Sequence, residues 1–400
     1  MIRIQIHKVI PFLLFFIVIV ALLFLPYFSQ VELPVAQMSA FGSETVRAQV
    51  DEIIEEGEID LGGTVQRYQL ARVEILEGEY AGILMEIDYG KRQVLPGNVY
   101  LNPGDRILVT VGERPDSVIT AYYTEHVRTT PILWLLATFV VAILLISRWK
   151  GLRSLLSMAF SLFVIISYII PHILAGEDPV QVSIIGSALL LGVTLYLTYG
   201  WNLKTHSAVL GMVFVLLITG TLAYVFVVFT RLTGAGDENA LFLIQMLQSR
   251  INLRGLLLGG MIIGALGVLD DLVTTQASAV FELYGANPGL GFRGLYNAAM
   301  RIGQDHVAAT VNTLVLAYAG ASLPMLLMFS LGRGEFGYLV NFSFVAEEIV
   351  RTLVGSLGLV AAVPLTTAIA AGIALRSEGL GKWKQVLGPV GSGDGHIHVS

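Results

Sequence analysis

Eight apolar runs, each near the length needed to cross a bilayer, confine this 400-residue chain to a membrane-embedded fold. A helix rises 1.5 Å per residue, so a hydrocarbon core of ~30 Å takes about 20 residues. Runs of that order occupy 9–28, 131–147, 155–174, 180–199, 208–230, 255–275, 308–331 and 350–375. Only 14% of the residues are charged, against about 25% in an ordinary soluble domain. Lipid offers no partner for a bare backbone, so each run reads as a helix. The first follows Arg3 and Lys8. It exceeds the apolar stretch of a cleaved signal and no clear A-x-A site follows, so it reads as an uncleaved anchor. Pro171 is expected to end or kink the third helix.

Charge is divided unevenly. Between Gln30 and Thr130 there are 17 acidic and 8 basic residues, a balance of −9, whereas the rest of the chain carries +3. An acidic insert argues against nucleic acid as a partner, because phosphate binding needs a basic face. The absence of cysteine excludes disulfides, thiolate metal sites, iron–sulfur clusters and cysteine nucleophiles, and no cofactor is expected. Alternating apolar residues predict short strands at 45–51, 69–75, 82–88, 106–111 and 118–126, with a phase slip at Leu70–Ala71 that suggests a bulge. Asn102-Pro103-Gly104-Asp105 is a turn signal. Five such strands in about 90 residues favour a small barrel of the OB type, in which only Tyr122 and Tyr123 could form a stacking platform.

The expected fold is therefore a polytopic α-helical membrane protein of about eight helices with an inserted β-barrel domain. Residues 1–29 form the anchor, 30–130 the acidic β domain, 131–375 a seven-helix membrane domain, and 376–400 a tail without fixed structure. The tail's two histidines, at i,i+2 in GSGDGHIHVS, fit disorder better than metal binding. Basic residues at Arg3, Lys8, Arg148, Lys150, Arg153, Lys204, Arg376, Lys382 and Lys384 fall on one side of eight crossings. By the positive-inside rule both termini are cytoplasmic and the β domain lies outside, with Arg231, Arg250, Arg254, Arg333 and Arg351 opposing. The stretch 238–254 has a helical apolar stripe and reads as an interfacial helix.

Ionisable groups inside a membrane default to function, and three clusters qualify. Asp270 and Asp271 follow an apolar run from Leu256 to Leu269, with Gln276 just beyond. Either they serve a cavity, or the helix ends there and both carboxylates reach the headgroups. Arg301, Asp305 and His306 read as the inner mouth of the seventh helix, with Asn312 deeper. Glu347, Glu348 and Arg351 open the eighth, where Glu347 and Arg351 have the i,i+4 spacing of a helical ion pair. Pro364 interrupts that helix. Gly255-x3-Gly259 and Gly260-x3-Gly264 read as helix-packing motifs. Gly289–Gly294 matches G-x-G-x-x-G but has no preceding strand, so a dinucleotide site is not expected.

At these motifs the chain resembles the YibE/F-like family of bacterial multi-spanning membrane proteins, over nearly its whole length. The resemblance is carried by GALGVLDDLVTTQASAVFEL (264–283), IGQDHVAATVNTLVLAYAGASLP (302–324) and EEIVRTLVGSLGLVAAVPLTTA (347–368). Many family members carry a single aspartate in a DVA-type sequence where this chain has Asp270-Asp271-Leu272, which makes Asp270 the less shared of the two. The resemblance implies a permease-like protein of the plasma membrane and names no substrate. The leading expectation is a secondary transporter of a proton or cation in the lipid bilayer, since no P-loop is present. Asp271 and Glu347 would bind the ion, and Arg301 and His306 would line the inner mouth. An assembly or sensing module acting through the β domain is the alternative. An intramembrane aspartyl enzyme would need two facing carboxylates.

Overall fold

A computed structural model describes residues 44–63, 65–91, 100–113, 119–247, 251–331, 336–377, 379 and 383–389. The expected anchor lies outside them. The chain divides into two compact units between Ile146 and Ser147.

In the first unit, β1 (Glu44–Asp60), β2 (Val65–Ile75), β3 (Leu84–Tyr89), β4 (Arg106–Glu113) and β5 (Ile119–His126) form one antiparallel sheet in the order β3-β2-β1-β4-β5. Its core follows the period of two: Val46, Ala48 and Val50 on β1, Ala71, Val73 and Ile75 on β2, and Ile107, Val109 and Val111 on β4 are buried. Register shifts at Val50/Glu52 and Ile53/Glu55 insert extra residues into β1 and help curl the sheet. The curl brings the two edge strands face to face, with the rings of Tyr89 on β3 and Tyr123 on β5 packed edge-on at 4.6 Å. Tyr123 thus turns inward while Tyr122 stays exposed, so the two tyrosines do not form a joint platform. The turn at Asn102–Asp105 forms as expected, with the Asp105 N–H donating to Asn102 O and Gly104 at φ 92°.

The expected bulge at Leu70–Ala71 is corrected. β2 alternates without interruption, and the extra residues lie opposite it on β1. The apparent slip arose because Gln69, although polar, points inward and is 2% exposed. Its Nε2 donates to Glu56 Oε1 (2.8 Å) and Leu101 O (3.1 Å), and its Oε1 accepts from the Leu101 N–H (2.8 Å). The bond from Gln69, reinforced by the Arg67 guanidinium, holds the Glu56 carboxyl below its usual range. A depressed folded pKa adds stability above the unfolded value, and that stability is lost as pH falls through the folded one. Gln69→Leu leaves both buried Leu101 groups unpaired and is expected to cost about 1–3 kcal/mol. Urea unfolding followed by tyrosine fluorescence should show the deficit at pH 7, and a smaller one in acid once Glu56 is protonated.

In the second unit three of the long helices begin where a side chain caps them. α1 (Thr129–Val164) straddles the boundary between the units. It holds two of the expected runs, joined not by a loop but at Arg148, whose φ of 47° and ψ of −124° break the helix. A π turn at Ile165–Ile169 then leads into α2 (Ile170–Leu174). The turn sits just before Pro171, which has no N–H to donate, so the chain continues to Leu174 instead of ending there. Asp178 caps α3 (Pro179–Tyr199) through the Val180 and Gln181 N–H groups. Asn202 caps α4 (Leu203–Phe229), and Asn252 caps α6 (Leu253–Ala286) after the short α5 (Glu238–Leu247). There follow α7 (Phe292–Ala321), α8 (Leu323–Leu331), α9 (Phe336–Leu339), α10 (Ser343–Arg376) and α11 (Lys384–Leu387).

Five described stretches are long and apolar enough to cross a membrane: Thr129–Leu174, Pro179–Tyr199, Leu203–Phe229, Leu253–Ala286 and Ser343–Arg376. Seven runs were expected after the anchor. Two merge in Thr129–Leu174, and the run 308–331 is divided at Ser322 between α7 and α8. The interfacial helix expected at 238–254 ends at Leu247, and Arg254 already belongs to α6.

α6 packs on α3, α4, α7 and α10, and α10 also packs on α4 and α7. Small residues permit this closeness. Gly259 abuts Ser183 and Pro179 of α3, Gly211 abuts Thr366, and Gly358 abuts Thr219. A Cβ added at Gly260 or Gly264 would meet nothing within 4 Å, so only the first of the two expected glycine motifs needs its glycines for close packing.

The described residues 383–389 of the tail make contacts with the helical unit. Trp201 Nε1 donates to Val386 O (2.9 Å), and the Leu203 N–H donates to Pro389 O (3.0 Å). His206 Nε2 donates to Leu387 O (3.0 Å), which leaves Nδ1 to accept from the Tyr196 hydroxyl (2.8 Å). Val386, Leu387 and Pro389 are thus held at the α3–α4 turn, because the Trp201, His206 and Leu203 N–H donors there meet carbonyls at the end of α11. The tail histidines lie outside the described residues.

Candidate site: a hydroxyl-lined cavity at Asp270

Asp270 lies midway along α6, which continues to Ala286. The carboxylates are therefore interior to the helix, which does not end at Asp270. Neighbouring positions on a helix diverge by ~100°, and here Asp270 is half-buried while Asp271 is exposed. Asp270 borders a cavity of ≈ 350 Å³ between α1, α3 and α6.

The polar wall of this cavity follows from helical spacing. Ser154, Ser157 and Ser161 share one face of α1 at i, i+3 and i+7, and Thr194 and Thr198 share one face of α3 at i and i+4. Tyr199 closes the end of α3 beside them. Ser157 Oγ donates across to Thr194 O (3.2 Å), Ser161 Oγ donates to Ser157 O (3.0 Å), and Thr194 Oγ1 donates to Leu190 O (2.7 Å). Thr274 Oγ1 donates to Asp270 O (2.9 Å) and lies 3.4 Å from the Tyr199 hydroxyl. Gly267, one turn before Asp270, leaves space: a Cβ there would meet nothing within 4 Å. Among the described residues lining the cavity, Asp270 is the only acid and none is basic.

None of the serines and threonines lining the cavity stood out in the sequence. A hydroxyl that donates to its own helix costs little in an apolar run, so hydropathy passes over it. Their i, i+3/i+4, i+7 recurrence was the available signal.

The other expected residues lie elsewhere. Asp271 is exposed, with Thr275 Oγ1 3.4 Å from its Oδ1. Gln276 is buried and ties three helices together: its Nε2 donates to Ala299 O on α7 (3.0 Å) and Thr367 Oγ1 on α10 (2.6 Å). Arg301, Asp305 and Asn312 are exposed on α7, and His306 is half-buried there. Pro364 stands inside α10, which continues through it to Arg376.

The expected Glu347–Arg351 pair is corrected. Arg351 Nη1 bonds Glu348 Oε1 (2.5 Å), at i,i+3. Glu347 is 4% exposed and turns to the loop after α4, where its Oε1 accepts the N–H groups of Gly234 (3.1 Å) and Gly236 (3.2 Å). Buried backbone donors satisfy it better than a partly solvated guanidinium would. Glu347→Ala is expected to destabilise the protein by about 1–3 kcal/mol by orphaning these donors. Glu347→Gln keeps an acceptor and should lose less, as read by thermal unfolding in detergent.

Thus Asp270, Asn312 and Glu347 do not share a cavity. Among the described residues no group of three His, Cys, Asp or Glu side chains is placed to hold a metal ion.

No curated protein and no solved structure matches the chain. A family profile described as YibE/F-like protein matches residues 135–376. The match is narrower than the resemblance read from the sequence, since it begins after β5 and spans the helices that build the Asp270 cavity. With the matched region covering more than half its length, the chain belongs to the YibE/F-like protein family.

Proposed function

We propose that the chain is an integral membrane protein that moves a proton or cation across the bacterial plasma membrane, with Asp270 as the binding group. The carrying observation is a carboxylate midway along an apolar helix, bordering a hydroxyl-lined cavity with no basic side chain in its wall. A carboxylate at such depth costs roughly 3 kcal/mol by insertion scales. Binding and releasing a cation gives that cost a use. Asp271, exposed on the same helix and outside the cavity wall, is dispensable in this reading. Glu347 holds the α4–α5 loop, and Arg301 and His306 line the inner mouth. The anchor and the seven later runs make eight crossings, both termini are cytoplasmic, and the β unit lies outside. The curled sheet order, with β3 facing β5, supports an OB-like barrel there.

The test is flux into proteoliposomes under an imposed ion gradient, comparing wild type, Asp270→Asn and protein-free vesicles. Flux no greater with wild type than without protein would overturn the transport reading.

A second reading, partner binding by the β unit, is favoured by the cleft of ≈ 550 Å³ between the facing edges of β3 and β5, bordered by Glu86 and Tyr122. Deleting residues 31–130 separates the two. Retained flux with loss of a bound partner supports a module, and loss of flux supports a gate. The enzyme alternative finds no second carboxylate among the described residues lining the Asp270 cavity.

A further inference from the structure

We infer that the cavity at Asp270 takes a primary alkylammonium ion, a cation with N–H donors and a short apolar stem. This rests on the transport reading for the ligand's passage but not for its binding. A hydroxyl has one proton and two lone pairs. Ser157, Ser161 and Thr194 each give that proton to a main-chain carbonyl. What they present to the cavity is lone pairs. The surrounding backbone N–H groups are spent on the helix ladders. The hydroxyls of Ser154, Thr198 and Tyr199 can turn either way, so the wall offers acceptors throughout and one carboxylate, and no basic side chain lines it among the described residues. An anion would face a like charge with no cation to offset it, whereas an ammonium group supplies the positive charge that the wall lacks and donors for its lone pairs.

Size and the apolar part of the wall choose between kinds of cation. A volume of ≈ 350 Å³ is many times the ~10–15 Å³ that admits one water, and far more than a bare inorganic ion needs. Met158, Ile165, Leu190 and Leu266 make up much of the remaining wall. A hydrated sodium ion gains nothing from them, but an alkyl stem is buried against them.

The full chain in lipid nanodiscs would be titrated with butylammonium, sodium and butyrate at equal ionic strength, with the thermal unfolding midpoint as the readout. Butylammonium should raise the midpoint saturably, and sodium and butyrate should not. Asp270→Asn should weaken the effect at least tenfold. Gly267→Leu should do the same by filling the cavity, because its side chain enters open space and the ligand-free midpoint confirms folding. No response to butylammonium, an equal response to butyrate or sodium, or a response that survives both substitutions would overturn the inference. Ion flux that depends on Asp270 without butylammonium binding would sink this inference and leave the transport reading standing. Butylammonium binding without any flux would do the reverse.

Discussion

Asp270→Asn is expected to lower proton or cation flux through the reconstituted protein at least tenfold, while Asp271→Asn leaves it within about twofold. The contrast follows from their positions on α6, one bordering the cavity and the other exposed. Asparagine matches aspartate in size, so the substitution removes charge and spares the cavity's shape. At an effective dielectric of ~20, a unit charge pair 4 Å apart attracts by about 4 kcal/mol. Water and hydroxyls recover part of that for a neutral site. A surviving loss of about 1.4 kcal/mol already means tenfold. Equal flux in wild type and Asp270→Asn would remove Asp270 from the mechanism. A larger loss from Asp271→Asn would move the binding group to the exposed face of α6.

The largest effect on stability is expected at Gly303, where valine should destabilise the protein by ~3 kcal/mol or more. An added Cβ would overlap Val363 Cγ1 and lie 2.6 Å from Gln276 Oε1. Both neighbours are buried, and Gln276 is committed to Ala299 O and Thr367 Oγ1. Relief would require separating α7 from α10 or breaking that amide's bonds. Gln276→Leu, which frees the site of its polar contacts while keeping bulk, should cost less. The two changes share one junction, so their effects should fall short of additive in combination. Thermal unfolding in detergent, followed by tryptophan fluorescence, reads all three variants. A Gly303→Val protein as stable as wild type would show that α7 and α10 are not packed through this junction.

Much of the architecture was legible because it rests on one-dimensional patterns. Val46, Ala48 and Val50 announce a half-buried strand by period alone, and Asn102-Pro103-Gly104-Asp105 announces a turn by residue type. The runs at 180–199 and 208–230 match α3 and α4 closely. Errors came where one residue's role depended on a distant partner. Gln69 looked like an outward residue until Leu101 supplied its buried partners. Glu347 looked like half of a local ion pair, but the Gly234–Gly236 segment, more than a hundred residues earlier, supplied its donors. The run 308–331 reads as continuous in hydropathy, yet its helix breaks at Ser322.

The Asp270–Asp271 pair shows the same division within one site. The sequence by itself determined that two adjacent carboxylates follow an apolar run and that, if the helix continues through them, they point about 100° apart. It could not choose which of them is enclosed. That choice depends on which helices cover each face of α6, and packing partners are not encoded in the local period. The tertiary structure alone decided that α1 and α3 bring serine, threonine and tyrosine hydroxyls to Asp270 and leave Asp271 exposed.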